Sequence, residues 1–368
     1  MSWLPRQRGE FPTSRETESM TSGDTRHATG GTVDQGAFDR RICIAPMLGW
    51  TDRHARFFFR QISARACVYS EMLAPEAILL GNKDFYLRYD PQEHPVVFQL
   101  GGNHPATLAA AARELERVGY DEINFNVGCP SAKGQANPWG AYLICNPRLV
   151  ADCVSAMREA TSLPISVKTR IGVDRQDTYQ PLADFVGTVK EGGCSIFVIH
   201  ARKAWLDGLS PKENRDVPPL RYDYVYRLKR DFPDLTIIIN GGITEWSDAR
   251  AHLDHVDGVM VGRRAYKDPY WLSTVDRDFF GATDPLPTQS EILRRCIPYV
   301  EQELARGTPL RYITRHMTRL YSQAPAAKAF RHHLAEVAGR AGAGMDAYLE
   351  AIAIAERRAN RDPKPQPI

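Results

Sequence analysis

One residue between Glu122 and Lys133 could do chemistry. The stretch reads Glu-Ile-Asn-Phe-Asn-Val-Gly-Cys-Pro-Ser-Ala-Lys. Ile123, Phe125 and Val127 alternate with Asn124 and Asn126, the period of a strand. Gly128, Pro130 and Ser131 then break the strand into a loop. This puts Cys129 just past the C-terminal end of a strand, the edge at which a parallel α/β barrel does its chemistry. The alternative is a small buried hydrophobe, the usual fate of a free cysteine.

Other apolar runs also end in polar or glycine residues. They are Pro46, Met47 and Leu48; Gln99; Asn126; Lys168, Thr169 and Arg170; His200; Asn240, Gly241 and Gly242; and Gly262 and Arg263. Polar ends on that many strands form a ring at one barrel mouth, which is a ligand site. The glycines after the last two runs let backbone N–H groups approach a phosphate, and Arg263 adds charge-assisted hydrogen bonds. Ordinary turn glycines are the alternative there. Lys168 could form a Schiff base or place a cation near an electron-rich cofactor ring. His200 could act as an acid/base, donate to the same cofactor, or be a satisfied core histidine.

These side chains need eight strands to carry them, and the chain supplies eight apolar runs. They are 42–47, 67–72, 95–100, the opening stretch, 165–169, 195–200, 235–240 and 258–262. Helical segments separate them. One over 52–64 carries Phe57, Phe58 and Ile62. Another carries Leu108, Ala111, Leu115 and Val118 and stops at Gly119. Asn146 caps a third with Pro147 in its first turn. A fourth runs from Leu182 to Lys190, and Thr244 is expected to cap a fifth that ends at Leu253. Near-continuous apolar strands alternating with helices over about 250 residues predict a parallel (β/α)8 TIM barrel. A doubly wound sheet is the rival, but neither a G-x-G-x-x-G nor a Walker loop follows the first strand.

Composition sets the frame. The 368 residues carry a formal charge of +3, so any basic surface must be local. Seven scattered cysteines with no C-x-x-C pair argue against a disulfide framework or a metal site and suit a reducing cytoplasm. No run spans a membrane, and the N-terminus has no apolar signal-peptide core. Residues 1–38 read as a disordered tail, 39–283 as the barrel, 284–357 as a small all-helical domain and 358–368 as a loose tail.

The chain resembles the tRNA-dihydrouridine synthases, most of all the synthase A subfamily. The resemblance is carried by Ala45-Pro46-Met47, Gln99-Leu100-Gly101-Gly102, Asn124 to Pro130, Val167 to Gly172, Ile199 to Arg202, Asn240-Gly241-Gly242 and Val259 to Arg263. The run from His200 to Pro218 points to subfamily A. The resemblance implies an FMN enzyme that reduces a uridine of the tRNA D-loop, at positions 20 and 20a, with NADPH as reductant. It implies that Pro46, Met47, Leu48, Gln99, Lys168, His200, Asn240, Gly241, Gly242, Gly262 and Arg263 hold FMN. Asn126 would touch the uracil. Hydride would pass from flavin N5 to C6 and a proton from Cys129 to C5. A thiol is still protonated at neutral pH and can supply that proton.

The segment after the barrel fits an RNA partner. Arg311, Arg315 and Arg319 recur at i, i+4 and i+8 and are expected to line one helix face, with Lys328 and Arg331 on the next helix. Arg170, Lys212 and Arg215 are further candidate tRNA contacts near the mouth. A solvated helix face is the alternative. The expected state is a monomer without a protein partner. Two rivals stand beside this reading. One is another barrel enzyme, a small-molecule flavin reductase or an aldolase using Lys168. The other is a non-catalytic RNA-binding module.

Overall fold

The structure is a computed structural model that describes residues 38–130, 139–322, 327–340 and 342–359. The expected tail over 1–38 lies outside the described residues save Phe38, as does the C-terminal tail from 360 onward.

Eight parallel strands close into a barrel in chain order. They are β1 Ile42–Ile44, β2 Cys67–Leu73, β3 Val96–Leu100, β4 Glu122–Val127, β5 Ile165–Arg170, β6 Ile196–His200, β7 Thr236–Asn240 and β8 Gly258–Val261. Helices connect them: α1 Arg53–Ile62, α2 Pro75–Leu79, α3 Lys83–Leu87, α4 Pro105–Val118, α5 Pro147–Ala160, α6 Gln180–Glu191, α7 Tyr222–Asp231 and α8 Trp246–Leu253. After β8 come the short α9 Arg263–Lys267 and α10 Val275–Phe280. The barrel expectation therefore holds. Among the described residues no helix is long and apolar enough to cross a membrane.

Local signals explain most helix ends. Asn146 accepts from the Leu149 amide at the start of α5, and Gly119 ends α4 at φ +99, which a side chain would resist. The expected Thr244 cap is wrong. Glu245 occupies the cap position of α8 without a side-chain bond, so the helix begins one residue later than the hydroxyl suggested.

Strand residues sort by the period of two. Outward side chains such as Ile44, Phe98, Phe125, Val167 and Ile239 pack under the helices. Inward ones divide the barrel interior. Cys43, Tyr69, Val97, Val198, Ile238 and Met260 form an apolar cluster. The β3–β5 side instead carries Gln99, Glu122, Asn124, Asn126 and Ser166, all buried. A buried polar group is costly unless bonded, so this half must be a hydrogen-bond network.

Five more helices follow: α11 Gln289–Arg295, α12 Ile297–Ala305, α13 Leu310–Thr314, α14 Ala327–Glu336 and α15 Met345–Ala359. They pack on α1. Tyr299 stacks on Phe57 with ring centroids 3.9 Å apart, and its hydroxyl lies 2.7 Å from His54 Nδ1. Phe57, Phe58 and Phe59 are all buried, each adding about 1.5–3 kcal/mol by area.

Candidate active site at the C-terminal ends of the strands

Register brings the strand-end residues together. Asn126 pairs with Lys168, Arg170 with His200, and His200 with Asn240. Cys129 follows two residues after β4 and is half-buried. Its amide donates to Asn126 Oδ1 at 3.0 Å, and the Gly128 amide donates to the same oxygen at 3.1 Å. The Cys129 carbonyl accepts from Ala141. Gly140 sits at φ +62 there, and a Cβ on it would stand 2.4 Å from the Cys129 carbonyl oxygen. Only glycine permits that closure.

Asn126 belongs to a chain of bonds through the barrel. Its Nδ2 donates to Gln99 Oε1 at 3.0 Å, and Gln99 Nε2 donates to Asn124 Oδ1 at 2.7 Å. Asn124 Nδ2 donates to Ser166 Oγ at 2.8 Å, and Ser166 donates to Glu122 at 2.5 Å. Arg40 closes the chain by an ion pair with Glu122 at 2.6 Å. Burial pushes the Glu122 carboxyl up, and Arg40 opposes that. Sequence reading named Gln99 and Asn126 and missed Glu122, Asn124 and Ser166 as partners. The signal was present, because 122, 124 and 126 share one face of β4.

Lys168 reaches Asn240 Oδ1 at 3.2 Å, while Asn240 Nδ2 donates to the Met260 carbonyl at 2.7 Å. Burial and then the neighbouring Arg170 lower the Lys168 ammonium to about 7, with the nearby Cys129 acting the other way. His200 is held far below its ordinary value, first by burial and then by Arg170 and Lys168. It is a neutral ring, and its buried Nδ1 has no partner among the described residues. Gly241 and Gly242 have φ of +115 and +76, and Cβ atoms there would meet the His200 ring at 2.9 Å and Leu220 at 2.6 Å. Gly262 and Arg263 stand at the end of β8. Arg263 Nη2 pairs with Asp216 at 2.7 Å and reaches the Arg215 carbonyl at 3.5 Å. That places the exposed Lys212 and Arg215 loop beside the β8 end. Pro46 and Met47 are partly exposed after β1, and Leu48 is 80% exposed.

Two expectations need correction. Arg170 does not face solvent. It is buried, and its guanidinium donates to the carbonyls of Gly128 at 2.9 Å, Lys203 at 3.1 Å and Asn214 at 2.9 Å. It ties the Cys129 loop to the loop after β6 and is not free to contact tRNA. The arginine stripe is also broken. Arg311 lies in α13, Arg315 just past its end, and Arg319 in a separate turn of 3-10 helix. All three are exposed, but Arg315 is 2.5 Å from Asp52, the cap of α1. Burial pushes Asp52 up, but His316 bonded to it, the nearby His54 and the Ala55 amide together hold it well below the usual carboxylate range. Lys328 and Arg331 are exposed on α14.

Residues 43–357 match the dihydrouridine synthase (Dus) family. The chain belongs to the dihydrouridine synthase family. Three curated relatives, each named tRNA-dihydrouridine(20/20a) synthase, are close to it. The Vibrio cholerae protein is 50% identical over 314 residues, covering 85% of this chain and 96% of the relative. The Escherichia coli K12 protein is 52% identical over 320 residues, covering 86% and 92%. The Shewanella oneidensis protein is 51% identical over 313 residues, covering 85% and 93%. Family membership makes the chain an enzyme, a flavin-dependent oxidoreductase that draws on a nicotinamide reductant.

Proposed function

We propose that this chain reduces uridine to 5,6-dihydrouridine in tRNA, at positions 20 and 20a, with FMN as the flavin and NADPH as the reductant. The observation that carries the reading is the meeting of Cys129, Asn126 and Lys168 at the ends of β4 and β5. The chain is about half identical to relatives named for that reaction.

What supports FMN is the unpartnered His200 Nδ1, the lightly engaged Lys168 and the glycine cradle at Gly241 and Gly242. Lys168, His200, Gln99 and Asn240 would hold the ring. Gly241, Gly242, Gly262 and Arg263 would hold the phosphate, with Pro46, Met47 and Leu48 beside them. Bound there, the flavin supplies the hydride for uracil C6. Hydride at C6 leaves an enolate that must take a proton at C5, and Cys129 Sγ gives it. Asn126 fixes the Cys129 amide, and its Nδ2 keeps a second proton for a uracil carbonyl. Arg170 acts as a positioning residue, because it holds the loop and not the substrate. The uridine must leave its stack to reach the mouth. Lys212, Arg215, Arg311, Arg319, Lys328 and Arg331 would meet tRNA phosphates, and Arg315 would do so only by trading Asp52. The partner is tRNA.

Mass mapping of dihydrouridine in tRNA from a deletion strain tests the reading. Loss at positions 20 and 20a, restored by the gene, is expected. An unchanged map overturns it.

A further inference from the structure

A cavity of about 710 Å³ lies outside the ring of strand ends. It is a cleft between the barrel, on the β2 side, and the helices after it. Its walls include Ser70, Glu71, Phe85, Tyr86, Arg88 and Tyr312. The volume is that of a ligand pocket.

Three features describe what it would take. Its rim is aromatic and exposed: Phe85 is 61% exposed, Tyr86 37% and Tyr312 45%. Rings of that size left in water are stacking platforms for a base. Its charge is already matched. Arg53, Arg88 and Arg306 share Glu303, at 3.3, 2.7 and 2.9 Å, Arg56 holds Glu93 at 2.7 Å, Arg315 holds Asp52, and the carboxylates of Glu71 and Asp84 also line the cleft. A cavity whose guanidiniums are spent on carboxylates does not suit a phosphate or a dinucleotide; it suits an uncharged planar group. Two donors nevertheless lack acceptors, because the buried Nε of Arg53 and of Arg88 has no partner among the described residues. A buried donor left unpaired costs free energy, which a carbonyl on a base edge would relieve.

The cavity also shares a wall with the candidate active site. Ser70 Oγ accepts from the Gln99 amide at 2.9 Å, and Glu71 accepts from the Gly49 amide in the loop that carries Pro46, Met47 and Leu48. Adjacent strands lie about 4.8 Å apart, so the two spaces are within a nucleotide's reach of each other.

We propose that this cleft is a second base subsite, which takes the nucleobase next to the target uridine and stacks it on Phe85 and Tyr312. The proposal rests on the tRNA reading above and extends it. The extruded uridine does not arrive alone: its neighbour is drawn out of the stack and held, which fixes the register of the strand at the mouth.

The test uses flavin-loaded protein and a tRNA transcript in which the base on either side of the target is removed in turn, leaving an abasic sugar. Binding is read by equilibrium titration and dihydrouridine by mass. Losing one of the two bases is expected to weaken binding roughly ten- to hundredfold, the range for one stacked base. The double variant Phe85→Ala, Tyr312→Ala is expected to lose a similar factor with intact tRNA and nothing more with the abasic one. Phe85→Trp is expected to keep full affinity. Both truncated rings are partly in solvent, so the fold does not depend on them, and an unchanged melting temperature checks this. If the parent binds both abasic tRNAs as well as intact tRNA, the subsite is overturned. Additive losses from the variant and the abasic site overturn it as well. If the parent forms no dihydrouridine even in intact tRNA, the tRNA reading itself has failed, and the subsite with it.

Discussion

The mouth of the barrel and the helices after it both carry charged side chains in regular sequence patterns, yet the patterns meant different things. At the mouth, spacing was set by a strand, and a strand end puts its last inward side chain at one place. Asn126, Lys168, His200 and Asn240 therefore converge by register. In the appendage, spacing of four residues implied a helix long enough to align Arg311, Arg315 and Arg319. The chain turns within that interval, and the helix ends at Thr314. The strand pattern was closed by neighbours on both sides. The helix pattern had nothing to hold it.

Cys129→Ala should give the largest effect at the mouth. Flavin content and its reduction by NADPH should persist, while reoxidation by unmodified tRNA slows by roughly 10²–10⁴, the usual cost of losing a general acid. Cys145→Ala is the control, since that thiol is exposed and carries no role in this reading. Equal single-turnover rates for Cys129→Ala and the parent would leave Cys129 a structural thiol.

Arg263→Ala comes next. Losing a charge-assisted bond to the cofactor phosphate should weaken flavin binding about 10- to 100-fold. Full flavin absorbance after gel filtration would remove Arg263 from the phosphate site.

The appendage can be split the same way. Arg311→Ala with Arg319→Ala should flatten the salt dependence of tRNA binding, by roughly 0.7–0.9 in slope for each lost phosphate contact. Arg315→Ala should act mainly on stability, because its guanidinium is shared with Asp52. A slope change from Arg315 as large as from the other two would contradict the division.

A smaller effect concerns pH. Lys168 falls from 10.5 to about 7 on folding, so between those values the unfolded chain holds a proton that the folded chain has released. Stability of the flavin-free protein should therefore rise as pH goes from about 7 to 10. Melting temperatures of the parent and of Lys168→Met across that range isolate the contribution, a gain of a few degrees that the variant lacks.

The barrel was legible because strands show their period and helices their ends, as at the stop Gly119 and the start Asn146. The ring was legible for the same reason. Arg170 was not, because a residue at a strand end can turn outward to substrate or inward to carbonyls, and only the loops around it decide. The chain from Glu122 to Asn126 was half legible. Its residues alternate correctly, but their partners on β3 and β5 come from register, which one strand does not reveal. The helices α2 and α3, five residues each, are too short to show a period.

The most direct measurement of the central claim is reconstitution. Purified flavin-loaded protein, NADPH and an unmodified tRNA transcript are combined, and the product is mapped by mass at every uridine. The account predicts the gain of two hydrogens at positions 20 and 20a and at no other uridine. Gain elsewhere, or none while the flavin is still reduced by NADPH, would contradict it.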